Sequence, residues 1–177
     1  MYKIKSKNEN EEFDWSNLGD ISLGRTNLGN SMPVEVYRLF QFTLRNILTQ
    51  EYGVEKTSEL IRKSGELAGK EFCKKFLGKT ADFDGFIAEL QKIMRQLKIG
   101  IFRLEKADMD KMEFYLVVEE DLDCSGLPIT NESVCDYDEG FIAGVMNQYT
   151  GKNFTAREID CWATGARACR FKVNLSE

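Results

Sequence analysis

Cys135, Glu158, Cys161 and Cys169 stand in a Cys-x22-Glu-x2-Cys-x7-Cys arrangement that closes in the segment EIDCWATGARACRF. Three thiolates and a carboxylate are a complete tetrahedral set for Zn2+. With no position left for water or substrate, such a centre holds a fold together and does no chemistry. A rival set replaces Glu158 with Cys124. Four thiolates would suit zinc or an iron–sulfur cluster, although the spacing from Cys124 matches no common ferredoxin run. The plainer alternative is a group of buried thiols acting as small apolar side chains beside a surface carboxylate. The chain contains no histidine, so a nucleophile–base pair would need Lys or a carboxylate as base, and no motif supplies one. No GxGxxG lies between a strand and a helix to seat a dinucleotide or flavin.

The elements around these residues decide whether they meet. Cys135 precedes a helical run with Phe141, Ile142, Val145, Met146 and Tyr149 that closes at Gly151, and Asp136 and Glu139 stand in capping-box relation at its start. A thiolate at that helix N-terminus is favoured by the dipole. NFTAREIDCWAT and ARACRFKVNL read as a hairpin turning around Gly165. Glu158 and Cys161, three apart near a strand end, would face opposite sides of an ideal strand, so a bulge or bend is required to aim both at one ion. Cys169 returns on the partner strand.

Upstream, Ser31 and Pro33 start a helix whose Val36, Tyr37, Phe40, Leu44, Ile47 and Leu48 recur at helical spacing up to Gly53. A second helix is expected from Val54 to Leu77, with Gly65, Gly69 and Cys73 forming a stripe of small residues. Two glycines on one helical face, each costing about 1 kcal/mol against alanine, signal close packing in preference to room for a ligand. A third helix runs from Asp82 to Leu97, and two strands over 100–108 and 111–119 are joined by a tight turn at Met109 and Asp110. ISLGRTNLGNSMP reads as a short strand or extended loop. Residues 1–19 form a polar arm and 20–177 one domain. The order implies an α+β fold, helices covering one face of an antiparallel sheet of about four strands.

Composition narrows the function. The 177 residues carry a net charge of -5 and a pI near 5.0, with acids interleaved among the basic residues, which argues against nucleic acid as a partner. No run approaches the roughly 18 apolar residues of a membrane span, and the polar start is no signal peptide. Five cysteines without an export signal imply a reducing, cytoplasmic setting.

The stretch CDYDEGFIAGVMNQYTGKNFTAREIDCWATGARACRF resembles the C-terminal signature of the 4-vinyl reductase domain family: a Cys, a Gly-aromatic helix, a TG turn, an E-x-x-C strand and a G-x3-C-R-F ending. SGELAGKEFCKKFL is also similar, so the likeness spans about residues 30 to 175. The family includes sensory domains of activators that respond to phenols. It is related to trafficking-complex subunits of the transport protein particle and to haem-based nitric oxide sensors. The resemblance implies a structural zinc on Cys135, Glu158, Cys161 and Cys169. It also implies a ligand between helices and sheet, for which Phe86, Phe102, Met112, Phe114 and Val145 are the lining residues. Homodimerisation through the long N-terminal helices follows from the same likeness.

The departures refine this picture. Without histidine there is no proximal haem ligand, and the His and Trp that hold a phenol hydroxyl in the sensors have no counterparts, so the ligand expected is more apolar than phenol. No GxxxxGK[ST] occurs, so an isolated sensor-type module is expected. Cys73, beside Phe72 and Phe76, invites comparison with the acyl-carrying cysteine of the trafficking relatives, but a buried thiol is the simpler role. The reading is therefore a zinc-stabilised, non-catalytic module that binds a small apolar, hydrocarbon-like molecule and contacts itself or a protein partner. The alternatives are an assembly or adaptor subunit, whose interior would be full, and an accessory protein in tetrapyrrole vinyl reduction, with which pigment or flavin would co-purify.

Overall fold

The computed structural model describes residues 13–78 and 82–176, so the first twelve residues of the expected polar arm lie outside the described residues. The chain divides into two compact units, Met1–Ser31 and Met32–Glu177. In the first, a 3-10 turn at Trp15–Leu18 is capped by Asp14, whose side chain accepts from Ser16 N–H while Asn17 returns the bond to Asp14 N–H. A one-turn helix, α1 (Ile21–Gly24), follows where a strand or extended loop was expected. The Asp20 carboxylate accepts from Leu23 N–H at 3.0 Å, and this local cap overrides the weak alternation of ISLG.

The larger unit opens with α2 (Val34–Tyr52), preceded by Pro33. Gly53, at φ 79, ends it and begins α3 (Val54–Phe76). After α4 (Phe83–Gln96), capped by Asp82, come strands β1 (Ile101–Asp108) and β2 (Glu113–Glu119). Helix α5 (Asp136–Thr150) precedes the hairpin of β3 (Phe154–Asp160) and β4 (Cys169–Leu175). The four strands form one antiparallel sheet in the order β1-β2-β4-β3. The α+β arrangement expected from the sequence is thus the observed one.

Two local expectations need correction. The β1–β2 connection spans Met109–Met112 and is wider than the tight turn at Met109 and Asp110. The Asp108 carboxylate accepts from Lys111 N–H, and Met112 takes the left-handed region at φ 52. No capping box forms on Asp136 and Glu139 either: Cys135 is the N-cap of α5 and makes no side-chain cap bond. Glu139 is used elsewhere. It is buried, and its carboxylate takes Arg62 of α3, Arg157 of β3 and the Glu158 N–H together.

The glycine stripe answers a packing need. Gly65 and Gly69 of α3 meet Gly140 and Gly144 of α5, so the backbones touch. A Cβ at Gly65 or Gly69 would collide with the carbonyls of Tyr137 or Phe141, and one at Gly140 or Gly144 with those of Arg62 or Glu66. The core lies between α3, α4, α5 and one sheet face, with Phe86, Phe114, Phe171 and Val173 fully enclosed. On the other face, alternate residues pair as ions: Arg170 with Glu105, Lys172 with Glu113, and Arg103 with Glu119. Lys106, Arg170 and Lys172 stand over the Tyr115 ring.

Candidate metal centre

Four cysteines from four different segments converge: Cys124 from the loop after β2, Cys135 at the start of α5, Cys161 just past β3, and Cys169 opening β4. Their sulfurs all lie within 4.8 Å of one another. Cys124, Cys135 and Cys169 are 0% exposed and Cys161 is 1% exposed, so water has no access to any of them. Cys124 Sγ is 3.0 Å from Cys169 Sγ; Cys135 Sγ is 3.7 Å from Cys169 and 3.8 Å from Cys161.

Local backbone chemistry aims each thiol. Asp121, itself buried, accepts from the N–H groups of Asp123 and Cys124 at 2.8 and 3.1 Å, a side-chain-closed turn that points Cys124 inward. The β3–β4 register slips between Glu158 and Asp160, supplying the bulge that the Glu158–Cys161 spacing demands. Beyond it, the Cys161 carbonyl accepts from Thr164 and Ala166 N–H and from the Thr164 hydroxyl. The turn closes at Gly165, where φ is 98, a conformation that favours glycine. Trp162 Nε1 donates to Leu127 O, and Ala163 O receives Thr130 and Asn131 N–H, which ties this turn to the loop carrying Cys124.

Of the residues singled out in the sequence, Cys135, Cys161 and Cys169 are brought together, and Cys124 joins them. Glu158 stands at the edge. One carboxylate oxygen bonds the Ser133 hydroxyl, while Oε1 is buried without any hydrogen-bond partner. Burial pushes its carboxyl up to about 7. The thiols are strongly unequal: hydrogen bonds from Cys124, Cys135 and Cys169 draw the Cys161 thiol down, whereas contacts with Cys124 push Cys135 and Cys169 up. Close-packed buried sulfurs can share one negative charge by hydrogen bonding; holding more requires a cation among them. The donor chemistry therefore fits a sulfur-seeking metal ion, which this arrangement can hold.

The expected ligand residues are placed differently. Phe86, Phe102, Phe114 and Val145 are buried in the core, and Met112 is partly buried in the β1–β2 connection. The seam between α4, α5 and the sheet, where Phe102 and Val145 meet Leu90, Met94 and Leu116, encloses only about 10 Å3. Phe86 stacks on Tyr149 with ring centroids 3.7 Å apart, filling adjacent space. Cys73 is buried beside Phe72, and burial pushes its thiol up to about 11.

Sequence reasoning did not find the polar attachment of α2 to the metal loop. Tyr37 and Gln41 donate to the buried Asp123 carboxylate at 2.8 and 2.6 Å. Arg38 donates to the carbonyls of Asp121, Leu122 and Ser125, and Arg45 to Val134 O while pairing with Asp136. The available signal was a stripe at 37, 38, 41 and 45, recurring at helical spacing beside the apolar one.

An α+β domain with a buried four-thiol centre is the class this geometry defines. Residues 114–175 match the model of the vinyl-4-reductase domain, so the family likeness carried by the terminal motif is shown there. The uncharacterized protein MJ0150 of Methanocaldococcus jannaschii is 25% identical over 150 residues, covering 85% of this chain and 80% of the relative. The phenol-responsive sensory domain of the transcription activator PoxR, solved with phenol, shares the fold at a TM-score of 0.63 and 16% identity, over 81% of this chain and 75% of that one. A trafficking protein particle complex subunit 3 from Naegleria fowleri, covalently bound to palmitic acid, does so at 0.66 and 16% identity, over 81% of this chain and 95% of that one. Among the described residues no helix is long and apolar enough to cross a membrane.

Proposed function

We propose that this chain is a non-catalytic, cytoplasmic module that takes up a small, mostly apolar molecule, its C-terminal half stapled by a structural zinc ion. The observation that carries the reading is the water-free convergence of four thiols from four segments. Cys135, Cys161 and Cys169 belong to both candidate sets. The fourth seat goes to Cys124, whose sulfur lies within the mutual 4.8 Å, and Glu158, which the family pattern puts there, stands beside it. A tetrathiolate site leaves the ion no open position, so it supplies structure and no reaction.

The small-molecule half of the reading is supported by the vinyl-4-reductase domain match and by a fold shared with a sensory domain solved with phenol. Self-association belongs to it as well. Val36, Leu39, Phe40 and Ile47 are exposed along one side of α2, and a second copy is the partner expected there.

Native mass spectrometry of freshly purified protein tests the whole reading. One zinc per chain is expected, in a colourless preparation, with a small organic molecule retained in at least part of the population and a dimer present. Iron, a co-purifying pigment or a metal-free chain would overturn it. Cys124→Ser should lose the metal while Glu158→Gln keeps it, and the reverse pattern would return the fourth seat to the carboxylate.

A further inference from the structure

Helix α2 is 19 residues long and contributes no buried side chain. Its polar anchors at 37, 38, 41 and 45 hold it to the metal loop, and they leave a gap between its inner side and α3. The gap is a hollow of about 290 Å3, walled by Tyr37, Leu44 and Leu48 on one side and Leu60 and Ile61 on the other, with Tyr137 among its lining residues. The seam between α4, α5 and the sheet, at about 10 Å3, has room for no more than a water molecule. Of these two spaces, the α2–α3 hollow alone has both apolar walls and a volume near the lower end for small-molecule sites, about 300 Å3.

Its polar groups define the ligand. The Tyr37 hydroxyl is committed to Asp123, and Arg45 to Val134 O and Asp136. No hydrogen bond joins the Tyr137 hydroxyl to another described residue, and its oxygen is not among the buried atoms that lack a partner, so it is open to a donor or acceptor in the hollow. The acids nearest this wall, Asp123 and Asp138, disfavour an anion. The one cation in the lining is already paired.

Resting on the small-molecule reading above, we propose that the α2–α3 hollow is the ligand seat. Its occupant is a neutral, largely apolar molecule with a single hydroxyl or carbonyl placed on the Tyr137 hydroxyl. At interior packing density the space takes about ten to fourteen non-hydrogen atoms. Because α2 is held by the loop that carries Cys124 and Cys135, this seat is built only when that loop is in place.

The test uses 2-naphthol as probe and the full chain with isoleucine δ1-methyl labels. Ile61 reports the hollow, Ile87 and Ile142 the seam beside the sheet, and Ile47 the outer side of α2. Saturable shifts at Ile61, with Ile87 and Ile142 unmoved, are expected. Leu48→Trp should weaken the probe at least tenfold by filling the space, and Tyr137→Phe by about threefold to tenfold through loss of one hydrogen bond. Shifts at Ile87 and Ile142 with Ile61 silent would overturn this seat while leaving the small-molecule reading standing. Shifts at Ile47 and Ile61 that follow protein concentration and not probe would show a second copy filling the hollow, and would likewise overturn it. No probe-dependent shift at any isoleucine would count against the seat and the small-molecule reading together.

Discussion

Helices α2 and α3 follow one another with only Gly53 between them, yet they are fixed to the domain by opposite means. Helix α3 lies backbone to backbone on α5 through four glycines, and Phe72 and Cys73 are buried along it. Helix α2 buries nothing and is held through hydrogen bonds and an ion pair to residues 121–136. Burial of apolar surface is non-directional and tolerates small shifts, whereas this polar docking requires its acceptors at fixed positions. The acceptors are the carbonyls and carboxylates of the loop that delivers Cys124 and Cys135. The contrast teaches that α3 depends on α5 alone, while α2 depends on whatever fixes that loop, and the thiol centre is what fixes it.

Substitutions should separate the two attachments, in descending order of effect. Cys161→Ser, which removes a thiol common to both candidate sets, should abolish metal retention and cost on the order of 5 kcal/mol or more, since structural zinc contributes directly to folding. Metal analysis alongside thermal melting checks this, and an unchanged melting temperature would contradict it. Gly69→Ala or Gly144→Ala should cost about 3 kcal/mol, roughly 6–12 °C of Tm, because the new Cβ meets a backbone carbonyl that cannot move alone. Metal content should stay intact in those variants. Arg38→Ala leaves three carbonyls of the metal loop without their donor and should cost about 2 kcal/mol, read as faster amide exchange confined to α2 and residues 121–125. Lys172→Ala, which removes a solvent-facing ion pair with Glu113, should change stability by about 0.5 kcal/mol or less.

Periodicity made most of this fold legible. The helices at 34–52, 54–76, 83–96 and 136–150 and the two hairpins emerge from apolar spacing and glycine stops, because each must bury one side. What it missed was set by single side chains. Asp20 nucleates α1 against a pattern that reads as extended, and Asp108 widens the β1–β2 connection. The metal centre was three-quarters readable: Cys135, Cys161 and Cys169 sit at ends of regular elements, so their convergence follows from topology. Cys124 arrives on an irregular loop whose path depends on the Asp121 turn, and no periodicity encodes that.

The side of α2 that faces the domain was also hidden. Val36, Phe40 and Ile47 recur as an inward stripe would, yet Phe40 is 67% exposed and Ile47 54%. The inner side carries Tyr37, Gln41 and Arg45, whose partners are about 80 to 90 residues away in sequence. An amphipathic pattern shows that a helix has two sides but leaves open which one the domain receives when a buried acid such as Asp123 waits opposite.

Hydrogen exchange measured with and without a zinc chelator tests most directly whether the thiol centre fastens α2. The account predicts that metal removal strips protection from 34–52, 121–136 and 158–170 together, while the glycine-locked segments 65–76 and 140–150 keep theirs. Protection of α2 that survives loss of the metal, or a chain with no metal to remove, would contradict it.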